Sequence, residues 1–136
     1  MAEVHLTRDF DKNPDELWEL IGDFHGLHKF NPTISPTESI DDGTARKIVM
    51  GPNAIVERLV EQGERSYTYS MDDGGPLPVK NYRSTLSVTD AGGGKSTVDW
   101  KGTFEAADGG DIEAAKQIVT MVYEGGLAAI EKTLSS

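Results

Sequence analysis

Two charged side chains fall inside strand-like segments whose neighbouring positions on the same face are apolar. Arg46 shares its face with Ile48, and Glu57 shares its face with Ile55. If both charged side chains point inward, each offsets the other's cost of burial, or the pair awaits a polar ligand. A desolvated carboxylate can orient a ligand hydroxyl or ketone, or move a proton. Arg46 and Glu57 are therefore the candidate catalytic residues.

Alternation does not decide which charge of the segment 54–61 points inward. Glu57 lies on one face and Arg58 on the other, each among apolar neighbours. The alternative for Glu57 is a solvated strand charge or a structural ion pair. We predict that Glu57→Gln changes ligand affinity more than stability. Equal affinity of the two proteins for a cognate ligand would contradict this.

Three tyrosines also fall on apolar faces, namely Tyr69, Tyr82 and Tyr123. Buried phenol groups need hydrogen-bond partners, which a ligand or water in a cavity can supply. Packing in a solid core is the alternative for these three. Other large apolar residues are better explained as plain core: Trp18, Leu86, Val88 and Phe104.

Several kinds of chemistry have no residues to support them. The chain contains no cysteine, which excludes disulfides, thiolate metal sites and cysteine nucleophiles. His25 and His28 are spaced to meet on a helix, but the sequence offers no third metal ligand. Neither a nucleophile elbow nor a phosphate-binding glycine loop occurs. We therefore expect no metal and no cofactor.

Length, charge and hydropathy bound the partners and the location. A chain of 136 residues predicts a single domain over residues 1–136. The net charge of −10 argues against nucleic acid and anionic lipid surfaces, because both need a basic face. No apolar run is long enough for a membrane span, and the N-terminus lacks the apolar run of a signal peptide. We therefore expect a cytoplasmic protein.

The segment 111–134 predicts one long amphipathic helix. Its apolar residues recur every three or four positions, and acidic Asp111 and Glu113 lie where the helix dipole favours negative charge. Gly125 and Gly126 interrupt the pattern, each at a cost of about 1 kcal/mol relative to alanine. Glycines at these positions let another backbone come close or leave room beside the helix, which is the first indication of a cavity.

The rest of the chain predicts an antiparallel sheet. A strand over 4–10 precedes a helix that begins at Asn13 and ends at Gly22, and a second short helix is expected over 23–32. Glycine-rich turns then separate six further strands: 34–40, 45–50, 54–61, 65–71, 81–89 and 97–105. The prediction is an α+β fold in which a seven-stranded curved antiparallel sheet wraps around the C-terminal helix.

Five segments follow one another along nearly the whole chain: Trp18…Asp23-Phe24…Phe30-Asn31-Pro32, Gly43…Arg46, Val56-Glu57-Arg58-Leu59, Leu77-Pro78-Val79-Lys80-Asn81-Tyr82 and Tyr123-Glu124-Gly125-Gly126-Leu127. This ordered set resembles the SRPBCC superfamily and, within it, the bacterial polyketide cyclase/dehydrase-like group. More distantly, it is similar to START, birch-allergen and plant abscisic acid receptor proteins. The resemblance implies the helix-grip fold, a cavity between sheet and long helix, and gate loops at 51–53 and 74–78.

By position, the resemblance implies a cavity wall made of these residues: Phe30, Arg46, Glu57, Tyr69, Met71, Tyr82, Trp100, Val119 and Tyr123. The first functional hypothesis is a carrier that binds a small, largely apolar ligand of lipid, polyketide or hormone type. The alternative is a cyclase/dehydrase-type enzyme that uses Glu57, Arg46 or a tyrosine in the same pocket. A third is an accessory protein that contacts a protein partner through the gate loops.

Overall fold

The computed structural model describes residues 2–26, 29–30, 38–50, 53–73 and 77–135. Their helices and strands follow in this order: β1 (Ala2–Phe10), α1 (Pro14–Ile21), β2 (Glu38–Ile40), β3 (Ala45–Met50), β4 (Asn53–Gln62), β5 (Ser66–Asp73), β6 (Val79–Gly92), β7 (Lys95–Ala106) and α2 (Ile112–Ser135). Within these ranges, seven strands form one antiparallel sheet in the order β1-β7-β6-β5-β4-β3-β2. The predicted α+β helix-grip architecture is confirmed.

The helix α1 begins and ends as its sequence predicts. The Asn13 side chain accepts a hydrogen bond from the Asp15 backbone N–H at 2.9 Å. The helix stops before Gly22, where a Cβ would overlap the Trp18 ring. The second short helix predicted over 23–32 falls partly on residues 27–28 and 31–32, which lie outside the described residues, as do residues 34–37 of the second predicted strand.

Irregular pairing bends the sheet close to Glu57 of β4. The register between β4 and β5 shifts between Val56 and Glu57 and again between Leu59 and Glu61. Such bulges add an unpaired residue to one strand and bend it. A further shift in β6 lies between Lys80 and Arg83. The concave side that results faces α2.

The helix α2 packs one stripe of side chains against the concave side. The residues of this stripe have at most 2% of their surface exposed: Ala115, Val119, Tyr123, Leu127 and Ile130. Val122, which the sequence pattern groups with the apolar face, is 48% exposed because it lies at the edge of the stripe. No helix in the described part of the chain is apolar over enough length to cross a membrane.

Candidate functional site

Arg46 and Glu57 form a buried ion pair on the concave side of the sheet. The register of β3 and β4 places them directly opposite each other. Glu57 Oε1 accepts a hydrogen bond from Arg46 Nε at 2.9 Å and lies 2.7 Å from Nη2. Their exposed fractions are 1% for Arg46 and 6% for Glu57. Arg58, the other charge of this segment, instead reaches Asp41 at the surface, with Nη2 2.8 Å from the carboxylate.

Protein groups surround the Arg46 guanidinium. Its Nη1 donates a hydrogen bond to the Phe24 carbonyl oxygen at 2.6 Å. Its Cζ lies 4.1 Å from the centre of the Phe24 ring, 5.0 Å from that of Tyr69 and 5.7 Å from that of Tyr67. Burial lowers the pKa of Arg46, but the Glu57 carboxylate together with Tyr67 and Tyr69 outweighs burial and holds the pKa above its ordinary value. The guanidinium therefore keeps its charge.

Only one of the two Glu57 carboxylate oxygens contacts a hydrogen-bond donor among the described residues. Both contacts to Arg46 involve Oε1, and among the described residues no hydrogen bond reaches Oε2. Glu57 also lines an internal cavity between the sheet and α2. A carboxylate oxygen carries lone pairs and, when ionised, acts only as an acceptor. The cavity wall thus offers a hydrogen-bond acceptor that the described part of the protein does not use.

Further buried polar side chains connect β6 to α2 and β7 to β5. The hydroxyls of Tyr82 and Tyr123 form a hydrogen bond, and Ser84 Oγ lies 2.8 Å from the Tyr123 hydroxyl. Trp100 Nε1 donates to the Tyr69 hydroxyl at 3.1 Å. Burial raises the pKa of Tyr123 to about 12 and those of Tyr69 and Tyr82 well above their ordinary value. These phenols are therefore protonated at neutral pH.

Two glycines make room for the aromatic rings. A Cβ at Gly126 of α2 would lie 2.5 Å from Trp100 Cζ3, and one at Gly102 of β7 would overlap the Tyr123 hydroxyl. The Trp100 ring stacks on Tyr123 with ring centres 4.9 Å apart and planes 11° apart. Gly126 therefore provides the close approach that the mid-helix glycines suggest. Gly125 has open space beside it.

The cavity between the sheet and α2 has a volume of about 120 Å³. Its described wall consists of Phe30, Arg46, Ile48, Ile55, Glu57, Tyr69, Met71, Leu77, Tyr82, Trp100, Val119, Val122 and Gly126. Of the residues predicted for the wall, all but Tyr123 lie on it. Tyr123 is buried against two wall residues, Tyr82 and Trp100. The role of these residues in ligand binding stays a prediction.

Sequence reasoning missed several wall residues. Ile48 and Ile55 share strand faces with the charged pair, so alternation contained the signal for them. Leu77 belongs to the predicted gate loop 74–78 and lies outside the predicted strands and helices, so no periodicity placed it on the wall. Val122 lines the cavity and is also 48% exposed, so it marks where the cavity reaches the surface. The predicted gate loops fall largely on residues 51–52 and 74–76, outside the described residues.

The histidines and acidic residues are the side chains of this sequence that could ligate a metal ion. Within the described ranges, no three His, Asp or Glu side chains cluster in a way that could hold a metal ion. His25 is half-buried, and its Nε2 donates to the Gly43 carbonyl oxygen at 2.9 Å. This bond ties the turn after α1 to the turn before β3. His28 lies outside the described residues.

Comparison with known proteins gives one family and several similar structures. The family described as polyketide cyclase / dehydrase and lipid transport matches residues 1–135. The chain is similar to the protein XoxI from Bacillus cereus, with 32% identity, a TM-score of 0.90, and coverage of 97% of this chain and 94% of that one. A protein from Bacillus thuringiensis is 30% identical, with a TM-score of 0.92 and coverage of 99% and 100%. Norcoclaurine synthase from Thalictrum flavum shares the fold at 19% identity, with a TM-score of 0.73 and coverage of 99% and 87%. No curated protein matches the chain.

Proposed function

The chain belongs to the polyketide cyclase/dehydrase and lipid transport family, and we propose that it binds a small, largely apolar ligand in the cavity between the sheet and α2. The observation that carries this proposal is the wall of that cavity. Aliphatic and aromatic side chains form most of it, and the exceptions are few: Arg46, Glu57 and the tyrosine hydroxyls. Apolar walls with a few convergent polar groups are typical of small-molecule sites.

The size of the cavity limits what it can enclose. An engineered cavity of about 150 Å³ binds benzene, whereas natural ligand pockets run from about 300 Å³ upward. At about 120 Å³, the enclosed space suits one ring or a short carbon chain. A longer lipid-, polyketide- or hormone-like molecule would extend past the exposed Val122 and contact the half-buried Leu77 of the wall. Both side chains are apolar and suit such a ligand.

Native mass spectrometry of the freshly purified protein tests this proposal. We expect a retained small molecule, which extraction would then identify. Val119 lies on the cavity wall, so Val119→Phe fills the space and should lose the bound mass. Ile118→Phe is the matched control, because Ile118 is exposed on the same helix and is not on the wall. Equal retention by Val119→Phe and the wild type would contradict the proposal.

A second candidate function is catalysis of the cyclase or dehydrase type, and the observation that favours it is the position of Glu57. Its carboxylate can take a proton from an enolisable ligand, and the protonated Tyr82 hydroxyl can donate to a ligand carbonyl. Holding a flexible ligand folded adds to the rate. Turnover of a polyketone that is lost in Glu57→Gln and kept in Ile118→Phe would support the enzyme. Binding without turnover would support the carrier.

A further inference from the structure

The two charged side chains on the cavity wall, Arg46 and Glu57, differ in how far protein groups already satisfy their hydrogen bonds. Arg46 is the only cationic side chain on the described wall, and three of its nitrogens already face protein oxygens. Nε and Nη2 contact Glu57 Oε1, and Nη1 donates to the Phe24 carbonyl oxygen. The rings of Phe24, Tyr67 and Tyr69 lie over the same guanidinium. Arg46 is therefore poorly placed to receive an anionic ligand.

Glu57, in contrast, has one carboxylate oxygen that no described residue satisfies. Its Oε1 is shared by two Arg46 nitrogens, whereas Oε2 accepts no hydrogen bond from any described residue. Glu57 lines the cavity and has 6% of its surface exposed. A water molecule or a ligand donor in the cavity can satisfy this oxygen. A ligand that displaces such water without replacing its hydrogen bond loses affinity.

We propose that the bound molecule carries an uncharged hydroxyl, of an alcohol or a phenol, which donates to Glu57, and that the cavity rejects carboxylates. This inference rests on the proposed function and adds the chemical class of the ligand. The ion pair is neutral as a whole, so a carboxylate would bring an uncompensated charge next to Glu57. An ether offers no donor and would leave the Glu57 oxygen unsatisfied.

Three probes of matched size test the proposal, titrated into the whole chain by calorimetry at neutral pH. 1-Hexanol can donate a hydrogen bond, 1-methoxypentane has the same number of heavy atoms but cannot donate, and hexanoate is anionic. A hydrogen bond to a charged group predicts that hexanol binds at least about tenfold more tightly than the ether. We expect hexanoate to bind more weakly than both.

Two variants test whether Glu57 causes the preference for hexanol over hexanoate. Glu57→Gln keeps the shape but removes the charge that compensates Arg46, so the preference for hexanol over hexanoate should fall by about tenfold or invert. Glu61→Gln, on the exposed part of the same strand, should leave the preference unchanged. If Glu57→Gln does not fold, the three probes on the wild type still decide the question.

Each outcome of the wild-type titrations has one meaning. Tightest binding of hexanol supports the proposal. Equal affinity for hexanol and the ether, or binding of hexanoate as tight as that of hexanol, overturns the choice of a hydroxyl ligand but leaves a ligand-binding cavity. If none of the three probes binds, both this inference and the proposed function are wrong.

Discussion

At the scale of single residues, the ion pair between Arg46 and Glu57 stands out because the side chains around it are apolar or aromatic. Removing two charges from water costs several kcal/mol per ion, which their attraction repays only with good geometry and further hydrogen bonds. Here the guanidinium also has the Phe24 carbonyl and three aromatic rings. Such a pair is weak evidence for stability, and its position on the cavity wall is the stronger evidence for a role in recognition.

Substitution of the pair measures how far the stability provided by each charge depends on the other. We expect Arg46→Met and Glu57→Leu each to lower the free energy of unfolding by about 3–5 kcal/mol, because each leaves one buried charge without its partner. The double variant should recover most of this loss, since two apolar side chains then meet. Urea unfolding of the four proteins measures the effect. Additive losses in the double variant would show that the two charges are not coupled.

At the scale of elements, α2 contains two adjacent glycines with different surroundings. Gly126 faces the sheet and lies against the Trp100 ring, whereas Gly125 has no atom within 4 Å of the position of a Cβ. In an exposed helix interior, glycine is about 1 kcal/mol less favourable than alanine. Only Gly126 has a packing reason to accept that cost.

Alanine at each glycine therefore gives opposite results. Gly125→Ala should raise the free energy of unfolding by up to about 1 kcal/mol. Gly126→Ala should lower it by about 1–3 kcal/mol, because the added methyl group forces Trp100 or the helix to move. Thermal unfolding gives both values, and tryptophan fluorescence should change only in Gly126→Ala. A stabilised Gly126→Ala would show that Trp100 has space to move.

At the scale of the whole molecule, all four tyrosines of the chain are buried: Tyr67, Tyr69, Tyr82 and Tyr123. Burial raises the pKa of every one of them. The protonated phenol is thus favoured in the folded state, whereas the unfolded chain releases the proton near pH 10, at the ordinary tyrosine pKa. Above that pH the unfolded state binds fewer protons than the folded state, so stability falls as pH rises.

We therefore predict steep alkaline unfolding. The tyrosine contribution to stability is fully present below about pH 10 and falls by about 1.4 kcal/mol per pH unit for each tyrosine above it. For Tyr123 the loss continues to its folded-state pKa of about 12. Urea unfolding at increasing pH, read together with phenolate absorbance, measures this, and Tyr123→Phe should reduce the slope. Phenolate formation near pH 10 in a protein that stays folded would contradict the prediction.

Much of the fold follows from local patterns. The steps of three and four in α2, the Asn13 cap and the glycine-rich turns predict elements within a few residues of those observed. Alternation along β5 predicts that Tyr67 and Tyr69 share one face of the strand, and both are buried. Alternation failed in β4, since Glu57 and Arg58 have equivalent sequence surroundings. The three- and four-residue spacing in α2 likewise failed for Val122, because a helix pattern does not show where the buried stripe ends.

The sequence by itself determined the elements, their order and the side chains that share each face, because these depend on residues close together in the chain. Only the tertiary structure decided that Glu57 faces inward opposite Arg46, that one of its oxygens is unused by described residues, and that about 120 Å³ stays open beside it. The physical reason is that strand register, sheet bending and cavity volume all depend on contacts between distant segments. The mid-helix glycines indicate room beside α2, but the volume of the cavity is set by how distant segments pack.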